Sequence, residues 1–388
     1  MSAETPGAAR TVSPLDLVRR LDPRVIVPVA LLVFIGLLSI GEARPSLVAP
    51  QLRWCAAGFA VTCMVMLVPY RRLLDLAWPL WGASVAMLLA VLVLGDLRNG
   101  ARRWLQFGPM GLQPSEFAKV AQIVVMARYI RFRRDHRTFK GLFVPFLITL
   151  VPVSLILAEP DLGTAAMFVP PLFVMLWAAG ARTKHLLVVV GLAVAAAPVL
   201  YFALPEGHYQ RGRVDAFVAS ITGRKAKKTE DGAAARVHDT FQRDEAVAAV
   251  AWGGVAGRSV GPDEAAQHER VPESWTDFVF VVHAEEWGFA GVLALLAVWT
   301  ALLAGLASLA AELKEPAARL LCIGALVLLG TQALINMAMT MGVFPVTGVP
   351  LPFVSYGGSS MLASWLMVAV VLHAKARQPV VFSVGDFD

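Results

Sequence analysis

Asp277 stands where a long polar loop runs into an apolar stretch, in PESWTDFVFVVHAEE over residues 272–286. A carboxylate at a membrane edge is costly unless it is solvated, paired or used, which makes Asp277 the first candidate for acid–base chemistry. The plainer reading is a helix cap, since Ser274, Thr276 and Asp277 are all residue types that accept from the first N–H groups of a helix. Glu285 and Glu286 follow two turns later beside His283 and need partners, cations or water at that depth. His283-x-Glu285-Glu286 lacks the two-histidine spacing of a zinc protease helix. In QPSEFAK, Glu116 and Lys119 lie three apart and share a helix face, as an internal ion pair or as a pair facing a cavity. Glu159 and Asp161 bracket Pro160 in a tight polar turn, with Asp161 placed to cap the helix that follows. Arg102, Arg103 and Trp104, in NGARRWLQFGP, form a cationic and aromatic patch, either an interfacial belt or an anion site suited to phosphates.

These groups need a membrane frame. The 388 residues are 57% hydrophobic and only 16% charged, too apolar for an ordinary soluble domain, where about a quarter are charged. The net charge of +6 does not indicate nucleic acid, because the basic residues gather at the ends of apolar runs. Cys55, Cys63 and Cys322 lie within such runs and show neither a disulfide nor a zinc spacing. The fold class is therefore an all-α polytopic membrane protein.

About 20 apolar residues cross a bilayer as a helix, and ten spans are expected: 25–41, 52–69, 76–95, 115–131, 141–158, 161–180, 185–204, 277–311, 318–343 and 358–374. They divide the chain into a cytoplasmic arm (1–24), a membrane domain (25–376) and a cytoplasmic tail (377–388). The loop of residues 205–276, between the seventh and eighth spans, is extracytoplasmic. One side carries 17 basic residues in its arm, short loops and tail, and the short loops opposite carry five: Arg44, Arg53, Arg98, Arg102 and Arg103. The positive-inside rule puts both termini in the cytoplasm, and the ten basic residues of the 205–276 loop do not reverse it, because long loops translocate largely regardless of charge. Within that loop HYQRGRVDAF reads as a short amphipathic helix, RKAKKTEDGAAA as a mobile centre and GGVAGRSVG as a turn series closing toward Asp277. The eighth span exceeds one crossing, so a bend is expected near Gly288 and Gly291. FPVTGVPLPFVSYGGSS, which includes Ser355, cannot be regular helix and must be buried in protein, re-entrant or lining a wet cavity.

Four segments, GARRWLQFGPMGLQPSEFAK, EPDLGTA, PESWTDFVFVVHAEEWGFAG and GVFPVTGVPLPFVSYGGSS, resemble in order and spacing the SEDS family of bacterial cell-wall proteins, the group containing RodA, FtsW and SpoVE. PES before the T-D-F segment and VTGVPLPFVSYGGSS resemble RodA (elongation) slightly more, whereas GARRW with FGP also suits FtsW (division); the lean is to RodA. The resemblance implies a peptidoglycan glycosyltransferase that polymerises lipid II on the outer face of the bacterial cytoplasmic membrane with a class B penicillin-binding protein. It places the family's essential aspartate on Asp277, its Glu/Lys pair on Glu116 and Lys119, and the aspartate of its P-D-L-G-T motif on Asp161. Arg102, Arg103, Glu285, Glu286 and Ser355 are supporting candidates. Asp277 would act as general base on the acceptor hydroxyl, with cations or a divalent metal (Mg or Mn) balancing the lipid diphosphate. Trp275 stands where the family usually has histidine, and Glu159 where glutamine is common. Two rivals need the same ten spans: a lipid II flippase, and a non-catalytic scaffold that activates a penicillin-binding protein.

Overall fold

The computed structural model describes residues 21–98, 101–108, 110–203, 211, 244–257 and 274–376. Residues 1–20 of the arm, the 377–388 tail, the RKAKK run and most of HYQRGRVDAF lie outside the described residues. The helices are α1 (Pro23–Ala43), α2 (Val48–Leu67), α3 (Tyr70–Asp75), α4 (Ala77–Leu94), α5 (Pro114–Ile130) and α6 (Phe143–Ala158). They continue with α7 (Leu162–Ala166), α8 (Val169–Ala178), α9 (Thr183–Ala203), α10 (244–252), α11 (Val279–Glu312), α12 (Pro316–Thr340) and α13 (Gly358–Ala376).

Each of the ten expected spans has a helical counterpart. Among the described residues eight helical stretches are long and apolar enough to cross a membrane; the other two depart for physical reasons. α5 has 17 residues and is buried along nearly its whole length. A central helix that meets protein on all sides needs no lipid-facing apolar surface, so it can carry Glu116, Lys119 and Gln122. The expected continuous span 161–180 is instead α7 and α8, separated by a turn at Met167–Phe168, with Pro170 in the first turn of α8.

α13 is the other central helix. It packs along α2, while α11 packs on α1 and α12, and α12 on α8. Small residues set the closest approaches: a Cβ at Gly58 would lie 2.3 Å from the Trp365 ring, and one at Gly36 2.6 Å from the Val354 carbonyl oxygen. At the end opposite the catalytic candidates, Asp22 pairs with Arg24 and Lys375, and Arg24 also reaches Glu312, tying α1, α11 and α13 together.

The all-α expectation omits a small antiparallel meander, β1 (Asp96–Arg98), β2 (Ala101–Phe107) and β3 (Met110–Leu112). Arg98 pairs with Ala101, and the two residues between them are Asn-Gly, the strongest short hairpin signal a sequence carries.

The bend in the eighth span is at Gly288, whose φ of 60° breaks α11. The N–H groups of Phe289 and Ala290 instead donate to the carbonyls of Gly254 (2.9 Å) and Val255 (3.1 Å). The glycine turn 253–257 of the long loop thus docks on the break and satisfies its backbone. Gly257 sits at φ 86°, where a Cβ would lie 2.0 Å from the Glu286 carbonyl oxygen.

Candidate active site

Residues 274–278 form successive turns before α11, and the cap position falls on Phe278 rather than Asp277, with no side-chain cap hydrogen bond. Three consecutive carbonyls of this turn are held from outside. Tyr356 N–H donates to Trp275 O (2.9 Å), Ser355 Oγ to Thr276 O (2.6 Å) and Asn336 Nδ2 to Asp277 O (2.8 Å). The second hydrogen of the Asn336 amide goes to Val349 O at 2.7 Å. One side chain, 0% exposed near the C-terminal end of α12, thus bridges the turn that carries Asp277 to the segment facing it.

That facing segment, residues 343–357, is irregular; it is exposed at Val343, Phe344 and Gly348 and becomes buried at Val349 and over residues 351–355, in keeping with irregular backbone that is shielded by protein or lines a wet cavity. Ser355 Oγ accepts from Leu351 N–H (2.8 Å), and Gln51 of α2 clasps its end by donating to Ser355 O (3.0 Å) and accepting from Gly357 N–H (3.3 Å). Gly348 lies at φ 68°, and a Cβ there would be 3.3 Å from Asp277 Oδ2. The half-buried carboxylate lies against bare backbone at Gly348. α10, from the long loop, covers the same turn: Ala246 and Ala249 pack on Phe278 and Val281.

The Glu159–Asp161 turn connects to this framework through Gly163, where a Cβ would fall 2.3 Å from the carbonyl oxygen of Thr347, the neighbour of Gly348. Asp161 caps α7, accepting from Thr164 N–H (3.0 Å) and Thr164 Oγ1 (2.9 Å), so the capping expectation holds here. Arg103 clamps the turn from β2, donating to Glu159 O (3.2 Å) and Pro160 O (2.6 Å), with a guanidinium nitrogen 3.8 Å from Asp161 Oδ2. Adjacent residues of a strand face opposite ways, and exposed Arg102 instead donates to Val93 O (3.2 Å). The expected Arg102–Arg103 patch is therefore split, and only Arg103 joins the site.

Glu159 is 1% exposed, and its Oε1 has no hydrogen-bond partner among the described residues. Burial raises its carboxyl from the ordinary 4.5 to about 8; the Asp161 charge adds to this and Arg103 opposes it. Burial thus favours its protonated, neutral form.

Glu116 and Lys119 pair at 2.7 Å on α5, both buried. The start of that helix is tied to α13, since Gln113 N–H donates to Ser359 Oγ (3.0 Å). Glu285 is buried and Glu286 half-buried, both on α11 ahead of its break. His283 lies between Ser39 Oγ (Nδ1, 3.2 Å) and Gly291 O (Nε2, 3.0 Å) and stacks on Trp287. Trp275 lies under the Arg44 guanidinium, 4.9 Å from the ring centroid. Sequence reasoning did not single out Asn336, Gln51, Thr347 or Gly348. The available signal was a lone amide at each of two helix positions, Gln51 at the start of α2 and Asn336 in the otherwise apolar LINMAM of α12, because a polar side chain at membrane depth is retained for a partner.

Among the described residues no three His, Cys, Asp or Glu side chains converge as a metal site. A magnesium or manganese ion would be held by Asp277 together with diphosphate oxygens brought by a substrate, the usual manner for small hard cations.

Taken together, fold and site define a polytopic helical membrane protein with a half-buried carboxylate set just before a broken helix, against an irregular segment. The chain belongs to the cell cycle protein family of FtsW, RodA and SpoVE, whose model matches residues 25–379. It is 32% identical over 324 residues to a probable peptidoglycan glycosyltransferase FtsW of Geobacter metallireducens, covering 82% of each chain. It is 30% identical over 355 residues to the peptidoglycan glycosyltransferase MrdB of Escherichia coli K12, covering 91% of this chain and 92% of that one. Among solved structures it resembles a chain from a peptidoglycan synthase complex described as coordinating polymerization and crosslinking (TM-score 0.76, 32% identity, 92% of this chain and 97% of that one). It also resembles the rod shape determining protein RodA of Thermus thermophilus (TM-score 0.66, 30% identity, 92% and 96%).

Proposed function

We propose that this chain is a peptidoglycan glycosyltransferase that polymerises lipid II at the outer face of the bacterial cytoplasmic membrane, with Asp277 as general base and a class B penicillin-binding protein as partner. The observation that carries the reading is the placement of Asp277: three successive carbonyls of its turn are gripped by Tyr356, Ser355 and Asn336, and its carboxylate lies against Gly348. A base that must meet one hydroxyl gains from a backbone fixed in this way.

In this reaction the acceptor sugar hydroxyl loses its proton to Asp277 as its oxygen bonds to the donor's anomeric carbon, and the bond from that carbon to the lipid diphosphate breaks. Of the cations considered, Arg103 is connected to the site through the 159–161 turn, Gly163 and Thr347, and it stands nearest in role to the departing diphosphate. Lys119 is held by Glu116 at 2.7 Å and serves the central helix. A divalent ion, when bound, would add charge neutralisation at the diphosphate.

Both termini lie in the cytoplasm on this reading, which the basic-residue asymmetry of 17 against five supports. FtsW- and MrdB-named relatives match at similar identity, so elongation and division both remain within the proposed role. Proteoliposomes containing lipid II, the chain and its cognate penicillin-binding protein with transpeptidation blocked test the proposal. Glycan polymer is the expected product; lipid II translocated without polymer would identify a flippase instead.

A further inference from the structure

Between the start of α6, with the residues just before it, and the second turn of α9 lies a groove of about 520 Å³ lined by Phe139, Leu142, Phe143, Phe146 and Val189, with Lys140 its single charged residue. The groove is remote from the active site. It sits at the start of α6, and the Glu159–Asp161 turn follows the other end, roughly 24 Å along the axis for the helix's 16 residues at ~1.5 Å each. Nothing among the described residues fills it. Phe139 and Phe143 are exposed, and α9 presents Leu187, Val188 and Leu192 outward rather than packing them on a neighbour.

The surroundings are basic. Arg137 lies over Gly180, and Arg182 and Lys184 begin the α9 side. In residues 131–142 and 179–186 the only acidic residue is Asp135, which pairs with Arg133 at 3.8 Å. Among the described residues Lys140, Arg137, Arg182 and Lys184 enter no ion pair. A soluble anion would have no use for the aromatic wall, and a hydrocarbon none for the cations. An amphiphile uses both.

We propose that this groove binds an anionic glycerophospholipid of the surrounding bilayer, with one acyl chain against Phe143, Phe146 and Val189 and the phosphate on Lys140 and its basic neighbours. Under the orientation proposed above this is the cytoplasmic leaflet. The binding itself does not depend on the glycosyltransferase reading, because it is read without turnover.

Native mass spectrometry of the full chain, released from mixed micelles holding equal phosphatidylglycerol and phosphatidylcholine, tests the proposal. The wild type is expected to retain phosphatidylglycerol at least fivefold over phosphatidylcholine. The Lys140→Gln, Arg137→Gln double variant, altered only at exposed side chains, should lose that preference while its melting temperature stays within about 2 °C of wild type, as surface changes generally allow. Phe146→Ser should lower retention of both lipids. Equal retention of the two lipids by wild type, an undiminished preference in the double variant, displacement by millimolar inorganic phosphate, or a dimer that excludes lipid would each overturn the proposal.

Discussion

Glu159→Gln is expected to remove a pH dependence of stability without harming the fold. In the folded chain burial holds the Glu159 carboxyl at about 8 against an ordinary 4.5, so between these values the native state keeps a proton that the unfolded chain has released. The stability this contributes is fully present below pH 4.5 and is lost as pH rises through 8. At ~1.4 kcal/mol per tenfold difference in proton affinity the whole effect is about 5 kcal/mol, of which about 3 kcal/mol falls between pH 6 and 9. The two charged groups acting on it are Asp161, which raises the proton affinity, and Arg103, which lowers it. Glutamine has the same shape, presents a neutral amide and does not titrate. Thermal unfolding of both proteins in one detergent from pH 5 to 9 should therefore give a wild-type-minus-variant difference that falls from pH 5 and levels off above pH 8, with the variant the more stable at pH 9. A flat difference, or a wild type more stable at pH 9, would refute the assignment of a protonated, buried Glu159.

Asn336→Ala strands the carbonyls of Asp277 and Val349; at ~1–3 kcal/mol for each buried unsatisfied group, urea titration should show a clear loss of stability. Polymerisation by the fraction that remains folded should fall at least tenfold in kcat. Gly348→Ala places a Cβ at φ 68° and 3.3 Å from Asp277 Oδ2; the backbone term alone is ~1–2 kcal/mol, and polymer yield should drop more than the melting temperature implies. Glu116→Gln leaves Lys119 buried without its carboxylate and should destabilise by about 3–5 kcal/mol, whereas Glu116→Gln with Lys119→Met should recover much of that loss in the same melting assay.

The frame was legible because hydropathy reports burial in lipid directly. All ten spans have helical counterparts, and even the break in the eighth was visible as excess length together with Gly288. What hydropathy does not report is which helices are shielded by others. α5 and α13 are the two central helices, and only α5 shows it in its sequence, being less apolar than the other spans because protein surrounds it. The meander was missed because its strands are short and flanked by apolar runs, although Asn99-Gly100 marked the hairpin. The candidate site was legible where charge made residues conspicuous: Asp277, Asp161 and Arg103. Arg102 was wrongly grouped with Arg103, since adjacency in sequence means opposite faces on a strand. Asn336 and Gln51 escaped notice because an uncharged amide hardly changes a hydropathy profile, and its two-carbonyl grip on a distant turn exists only in three dimensions.

The central claim is that Asp277 takes a proton during glycan transfer rather than shaping the helix entrance. The most direct test is polymerisation of purified lipid II by wild type and Asp277→Asn, each co-purified with its cognate penicillin-binding protein with transpeptidation blocked, and each shown to be folded by thermal melting. Asparagine keeps the size and hydrogen-bonding reach of the side chain but has no carboxylate to accept the proton. Polymer from wild type and none from a folded Asp277→Asn is the predicted result; equal polymer from both would contradict the account.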